Sequence, residues 1–277
     1  MSLNEIREGE LKEVFSAIEQ AFKAISTDFY IIGAVARDVW YAKGNKSFRR
    51  TRDVDFAVLV GSQEEYLAVR KYLKEHYNFQ ETTQNAFVMF APGNIQVDIL
   101  PFGEIEINDG IDFKGQGLTS INVNGFSEVY QSGTTNIELQ TGHHFKIATL
   151  PSIVLLKLIA FADRPEHRTK DARDIANILE HFFDLQADLI YGKHVDLFED
   201  ENDQRSLQDI SAIVIGREIK QICAGNLQLL ERIQKILKTH IELAENSPFI
   251  RNMVEETKKD VGQCIQWLDN IRSSLSR

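Results

Sequence analysis

The stretch Arg52-Asp53-Val54-Asp55-Phe56-Ala57-Val58-Leu59-Val60 constrains this chain more than any other. Its β-branched and apolar residues specify a buried strand, and Gly61 stops it. Side chains alternate along a strand, so Asp53 and Asp55 project from one face about 7 Å apart. Two carboxylates held that way repel each other unless a cation or a basic side chain lies between them. Mg²⁺ is a hard, oxygen-seeking ion that binds through one or two carboxylates together with phosphate oxygens. A solvated strand end beside a basic loop also accounts for an isolated pair, so the rest of the chain has to decide.

Two other features bear on that choice. Asp98 sits in Gln96-Val97-Asp98-Ile99-Leu100, where apolar neighbours predict a buried strand. A carboxylate there is costly unless it is paired, bound to metal or turned to water at a sheet edge. Upstream, the apolar run Phe29 to Ile32 ends at Gly33, and Ala34 to Ala42 reads as a helix. A strand, a glycine turn and a helix aim backbone N–H groups and a positive helix end at a phosphate. The loop that leads into the Asp53–Asp55 strand carries Lys43, Lys46, Arg49, Arg50 and Arg52 with no acid among them. It reads either as a solvated loop or as a contact for a phosphate-rich acceptor such as tRNA.

The remaining periodicities give the layout. Leu11, Val14, Phe15, Ile18, Phe22 and Ile25 recur at spacings of three and four, which predicts an amphipathic helix. Ser62 to Glu65 has the form of a capping box opening a helix to about His76. Residues 79–82, 86–90 and 95–100 read as strands, the last two joined across Pro92-Gly93, and residues 103–149 as short strands among turns. From Pro151 the pattern turns helical, with segments at about 151–160, 170–183, 206–223, 226–245 and 250–275, interrupted by the acidic stretch Glu199-Asp200-Glu201-Asn202-Asp203. His143-His144, beside a glycine turn and without a third ligand, reads as surface.

Composition excludes several classes. Acids outnumber bases, 41 to 31, for a formal charge of −10, so a protein that coats nucleic acid by charge alone is ruled out. Cys223 and Cys264 stand apart, outside any CxxC pattern, which fits a reducing compartment and no disulfide framework. No run of eighteen apolar residues occurs and the first residues lack a secretory pattern, so the expected location is the cytosol and no membrane is involved.

Taken together, Ile32-Gly33-Ala34-Val35-Ala36-Arg37-Asp38, Arg50-Thr51-Arg52-Asp53-Val54-Asp55-Phe56 and Val97-Asp98-Ile99-Leu100-Pro101-Phe102-Gly103 resemble the nucleotidyltransferase superfamily of DNA polymerase beta. With Leu150 to Ala160 and Lys170-Asp171-Ala172-Arg173-Asp174-Ile175, the likeness is greatest to the bacterial AbiEii/AbiGii-type toxin nucleotidyltransferases. It covers about residues 25–185. The resemblance implies an α+β fold, a mixed β-sheet with flanking helices followed by an all-helical C-terminal part. The change of pattern and the acidic stretch divide the chain into a nucleotidyltransferase α/β domain at 1–149, a helical extension completing the site at 150–198 and a helical domain at 199–277, the last of which the resemblance does not reach.

The resemblance also implies the chemistry. Asp53, Asp55 and Asp98 would be the catalytic carboxylates and would hold two Mg²⁺ ions with a bound nucleoside triphosphate. Gly33, Ala34, Arg37, Lys157, Asp171 and Asp174 would bind the nucleotide, with Asp171 or Asp174 positioning Lys157. Arg37 reaches a phosphate or pairs with Asp38. Lys157, set in Leu155-Leu156-Lys157-Leu158, reaches the triphosphate or snorkels to solvent. Lys46, Arg49, Arg50 and Arg52 would contact the acceptor, whether RNA such as tRNA, a protein or a small molecule. An antitoxin protein would be the partner of a toxin-type enzyme. The superfamily usually has Gly or Ser where Ala34 stands, which motivates one alternative, a catalytically weak nucleotide- or nucleic-acid-binding module of the same fold. The acidic charge motivates another, an aminoglycoside-type small-molecule nucleotidyltransferase.

Overall fold

The spacing of the first apolar residues makes a helix, α1 (Glu8–Ile25), in which Leu11, Val14, Phe15, Ile18 and Phe22 are buried. The computed structural model describes residues 8–44, 46, 54–105, 110–113, 120–139, 141–199 and 205–276. Two units result, Met1–Thr149 and Leu150–Arg277.

In the first unit α1 is followed by β1 (Asp28–Ile32), α2 (Gly33–Lys43), β2 (Val54–Leu59), α3 (Gln63–Tyr77), β3 (Gln80–Glu81), β4 (Val88–Ala91) and β5 (Ile95–Phe102). Then come β6 (Gly110–Asp112), β7 (Ser120–Asn122), α4 (Phe126–Ser132), β8 (Thr134–Glu138) and β9 (His144–Ala148). Seven of these strands form one mixed sheet in the order β3-β4-β5-β2-β1-β9-β8, and β6 pairs with β7 apart from it. The pairs β2–β5 and β1–β9 are parallel, and the other neighbours run antiparallel.

Strand β2 lies inside the sheet because Val54, Phe56 and Val58 are buried on one face and Ala57 on the other. On the first face Phe15 and Phe22 meet Phe29, Phe56 and Phe145 largely edge to face, with centroids 4.4 to 6.4 Å apart. Burying each such ring contributes about 1.5–3 kcal/mol. On the second face Tyr30 packs on Phe102, and its hydroxyl donates to the Phe126 carbonyl at 3.0 Å.

Two local expectations need correction here. The Ser62 side chain does accept from the Glu65 N–H, but the Glu65 carboxylate takes the Gly61 N–H at 2.8 Å, which extends the cap one residue outward. Within 103–149 a helix, α4, occurs where only strands and turns were expected. It buries just Phe126 and Val129, too few positions to leave a periodic signal.

The second unit contains α5 (Leu150–Asp163), α6 (Thr169–Leu185), α7 (Ala187–Lys193), a 3-10 turn at Val195–Phe198, α8 (Leu207–Ile222), α9 (Leu227–Leu243), α10 (Pro248–Thr257) and α11 (Val261–Ser276). The helix expected at 250–275 is therefore two. Lys258 takes the left-handed conformation, φ +60°, and Asp260 then accepts the Gln263 N–H and starts α11. Residues 150–198 and 205–276 share one core, so no boundary between compact units falls near 199. Helix α8 packs on both α6 and α11. At Gly216 a Cβ would come within 2.5 Å of the Ile271 carbonyl, so the glycine sets how closely α8 and α11 approach. Both cysteines are buried and neither is in a disulfide. Among the described residues no helix is long and apolar enough to cross a membrane.

Candidate active site

Asp55 and Asp98 stand opposite each other on β2 and β5. Adjacent strands are about 4.8 Å apart, and residues paired in a parallel ladder point to the same face. Both side chains are half-buried, whereas Val54, Phe56, Val97 and Ile99 beside them are buried in the core. Gln96, two residues before Asp98 on that face, donates from its side-chain nitrogen to Asp98 Oδ1 at 2.8 Å. Like charges one strand apart repel, and a cation between them reverses the sign of the interaction.

Gly33 is the third component. Strand β1 pairs Ile32 with Asp55, so the next residue turns off directly beside that carboxylate. Gly33 has φ +64°, and a Cβ built on it would run into the Asp55 carboxyl group, 2.8 Å from its Cγ. Glycine is required there twice over, by backbone conformation and by space. Helix α2 starts at Gly33 with no side-chain cap from Ile32 and no acid in its first turn, which keeps the helix end favourable to an anion.

Behind the pair, α3 supplies a support that sequence reasoning missed. The buried Tyr66 hydroxyl donates to the Ile99 carbonyl at 2.8 Å, and Arg70 Nη2 donates to the Val88 carbonyl at 3.3 Å. Ile99 follows Asp98, and Val88 is its partner on β4, so the backbone on both sides of the carboxylate is tied down. Burial pushes the Tyr66 phenol up to about 12 against the opposing pull of Arg70, so it remains a donor at neutral pH. A buried Tyr and Arg at i and i+4 on a helix was the available signal.

The other expected site residues separate. Asp53, Arg49, Arg50 and Arg52 lie outside the described residues. No group of three or more His, Cys, Asp or Glu side chains that could hold a metal occurs among the described ones. Ala34 is the second residue of α2. Arg37 donates from Nε and Nη2 to Asp38 Oδ1 at 3.0 and 2.7 Å; the guanidinium is 2% exposed and the carboxylate 16%, so the cation of this pair is buried rather than on the surface. The Lys46 backbone N–H is bonded to the Tyr41 carbonyl.

In the second unit, Lys157 does not snorkel. Its side chain, 12% exposed, turns from α5 to α6, with the ammonium 2.6 Å from Asp171 Oδ1 and 2.8 Å from Asp174 Oδ2. Desolvation works against the charge, but the two carboxylates outweigh it and hold the lysine above its usual value. Asp171 Oδ2 is buried without a hydrogen-bond partner and lies 3.9 Å from Arg168 Nη1.

The sequence matches the family described as "Nucleotidyl transferase AbiEii toxin, Type IV TA system" over residues 21–259, most of the chain. The chain belongs to the AbiEii nucleotidyltransferase family. It is accordingly a transferase enzyme that moves nucleotidyl groups. No curated protein matches it. Among solved structures it is similar to the solution structure of the antibiotic-resistance factor ANT(2'')-Ia, at 13% identity and a TM-score of 0.38, covering 72% of this chain and 97% of that one.

In this AbiEii family member the Gly33 contact gives a direct test. Gly33→Ala should push the Asp55 carboxylate aside and lower nucleotidyl transfer by roughly a hundredfold, since a shift of about 1 Å at a reacting centre costs that much. Steady-state rates alongside circular dichroism check this, and wild-type turnover would show that the close approach has no bearing on activity. His143, expected at the surface, is only 8% exposed. Its Nε2 meets Ser16 Oγ at 3.0 Å, its Nδ1 meets Thr141 Oγ1 at 2.9 Å, and its ring stacks on Phe145. Burial lowers its pKa, so it is a neutral core histidine.

Proposed function

We propose that this enzyme transfers a nucleoside monophosphate from a nucleoside triphosphate to a hydroxyl acceptor, with Mg²⁺ bound by Asp53, Asp55 and Asp98. The observation that carries the reading is the register of Asp55 and Asp98 on adjacent parallel strands, with the Gly33 turn packed against the first. Half-buried carboxylates on one sheet face are the donor set that Mg²⁺ takes, so the residues fit the ion. When bound, Mg²⁺ neutralises triphosphate charge and lowers the pKa of an acceptor hydroxyl.

The chain's own residues do the rest. The first turn of α2, from Gly33 and Ala34, offers backbone N–H groups to the phosphates. Tyr66 and Arg70 keep the Asp98 strand segment rigid, so its carboxylate does not retreat when charge develops. Arg37 pairs with Asp38, the next residue of α2, and the family likeness alone assigns it to the nucleotide. Lys157, paired with Asp171 and Asp174, is assigned to the triphosphate by the family likeness alone. The basic loop with Lys46, Arg49, Arg50 and Arg52 suits a phosphate-rich acceptor such as tRNA. As a toxin-type enzyme it would work in the cytosol opposite an antitoxin.

The test incubates the full chain with each α-labelled nucleoside triphosphate and Mg²⁺, with tRNA, with an aminoglycoside and alone. Label in tRNA with pyrophosphate release is expected. Label on the aminoglycoside would replace the acceptor, and nucleotide binding with no pyrophosphate released under any condition would reduce the protein to a binding module.

A further inference from the structure

Strand β5 alternates, with Ile95, Val97 and Ile99 buried on one face and Gln96 and Asp98 half-buried on the other. On β4 their partners are Phe90 and Val88, and on β2 Asp98 stands opposite Asp55. Two positions along one face put the Gln96 and Asp98 backbones about 7 Å apart, a distance the glutamine side chain spans. Its Nε2 donates to Asp98 Oδ1 at 2.8 Å. An ionised carboxylate only accepts hydrogen bonds, so the nitrogen is the end of the amide that meets it.

This contact differs in kind from the other supports of the strand. The bonds from Tyr66 and Arg70 end on the Ile99 and Val88 carbonyls and fix the backbone. They leave the carboxylate able to turn about its Cβ–Cγ bond, a soft, roughly two-fold torsion. A donor on one oxygen narrows that torsion and sets where the other oxygen points. A lysine or arginine at position 96 would do the same but cancel charge, and a glutamate would add another like charge to the Asp55–Asp98 face. A neutral amide does neither.

We propose that Gln96 is a positioning residue for Asp98 in nucleotidyl transfer: it fixes the plane of the carboxylate that meets Mg²⁺ and itself cancels none of its charge. Carboxylates that hold metals are in turn hydrogen-bonded, and losing such an outer partner typically costs about 10–100-fold in metal affinity or activity. The inference rests on the reading of Asp98 as a metal-holding group and adds to it a residue outside the three carboxylates.

Gln96→Met in the full chain, similar in length but without a donor, tests it, with Mg²⁺ alone as the probe. Binding to the native state raises the melting temperature by mass action, so the Mg²⁺ concentration needed for a given rise reports affinity without turnover. Gln96→Met should need about tenfold more Mg²⁺ and lose about tenfold in kcat, with the nucleotide KM and the metal-free melting temperature unchanged. Gln96→Lys, which brings a donor and a charge together, should weaken the Mg²⁺ response further. In an Asp98→Asn background Gln96→Met should have no additional effect, because the two side chains act as one unit. A wild-type Mg²⁺ response and kcat in Gln96→Met, with both lost in Asp98→Asn, would overturn the role of Gln96 and leave the carboxylate site standing. Both retained in Asp98→Asn would remove the site, and the proposal with it. A lower metal-free melting temperature with an unchanged Mg²⁺ response would make the bond a structural one and overturn the proposal, as would an undiminished Mg²⁺ response in Gln96→Lys.

Discussion

Asp55→Asn should reduce nucleotidyl transfer by on the order of a thousandfold while leaving the fold intact. Carboxylate-held metal contributes several kcal/mol of charge stabilisation in the transition state, and about 4 kcal/mol corresponds to that factor. The amide has nearly the same shape, so the contact with Gly33 survives. One of two like charges facing each other across β2 and β5 disappears, so the metal-free variant should be as stable as the parent, within about 0.5 kcal/mol. Binding to the native state alone raises stability by mass action. Mg²⁺ should therefore raise the melting temperature of the wild type and not that of Asp55→Asn. Undiminished turnover in the variant is incompatible with the proposed site. A lost rate with a retained Mg²⁺ shift would move the ion away from Asp55.

Lys157→Met should destabilise the helical unit by about 3–5 kcal/mol, because it strands two buried carboxylates without their cation. The remedy distinguishes this cause from lost packing. Adding Asp171→Asn and Asp174→Asn to Lys157→Met should recover most of the loss, since a neutral trio has no uncompensated charge. Denaturant midpoints followed by tryptophan fluorescence resolve the unit, because Trp267 lies in it and Trp40 in the other. A Trp40→Phe background reports the helical unit alone. The pH dependence has a definite sign. The folded-state pKa of Lys157 is raised, so its contribution is complete below the ordinary lysine value of 10.5 and disappears as pH climbs through the folded value. Wild-type stability should fall on the alkaline side by an amount that Lys157→Met lacks. A variant as stable as the wild type, or one the two asparagines fail to rescue, would mean the trio is not what holds α5 to α6.

Several parts of this molecule were written locally and could be read that way. Helix α1 follows from six apolar residues at helical spacing and β2 from a β-branched run. What failed locally failed for identifiable reasons. Helix α4 has two buried residues, and Lys258 breaks the last helix with a left-handed backbone that no glycine announces. His143 sits next to a glycine turn, which reads as surface, yet Ser16 from a helix 127 residues away satisfies its ring in the core.

The residues of the proposed site divide along the same line. Asp55, Asp98 and Gly33 were nameable from residue type and order alone, because strand alternation and glycine's freedom at positive φ are properties of a few consecutive residues. Their meeting was not, because β2 and β5 are paired across α3, β3 and β4, and register between distant strands is set by which apolar faces bury together. The same holds for Lys157: its sequence left open whether it reached water or a ligand, and only the packing of α6 on α5 supplied the two carboxylates that keep it charged inside. Local chemistry chose the side chains; burial of non-local surfaces chose their neighbours.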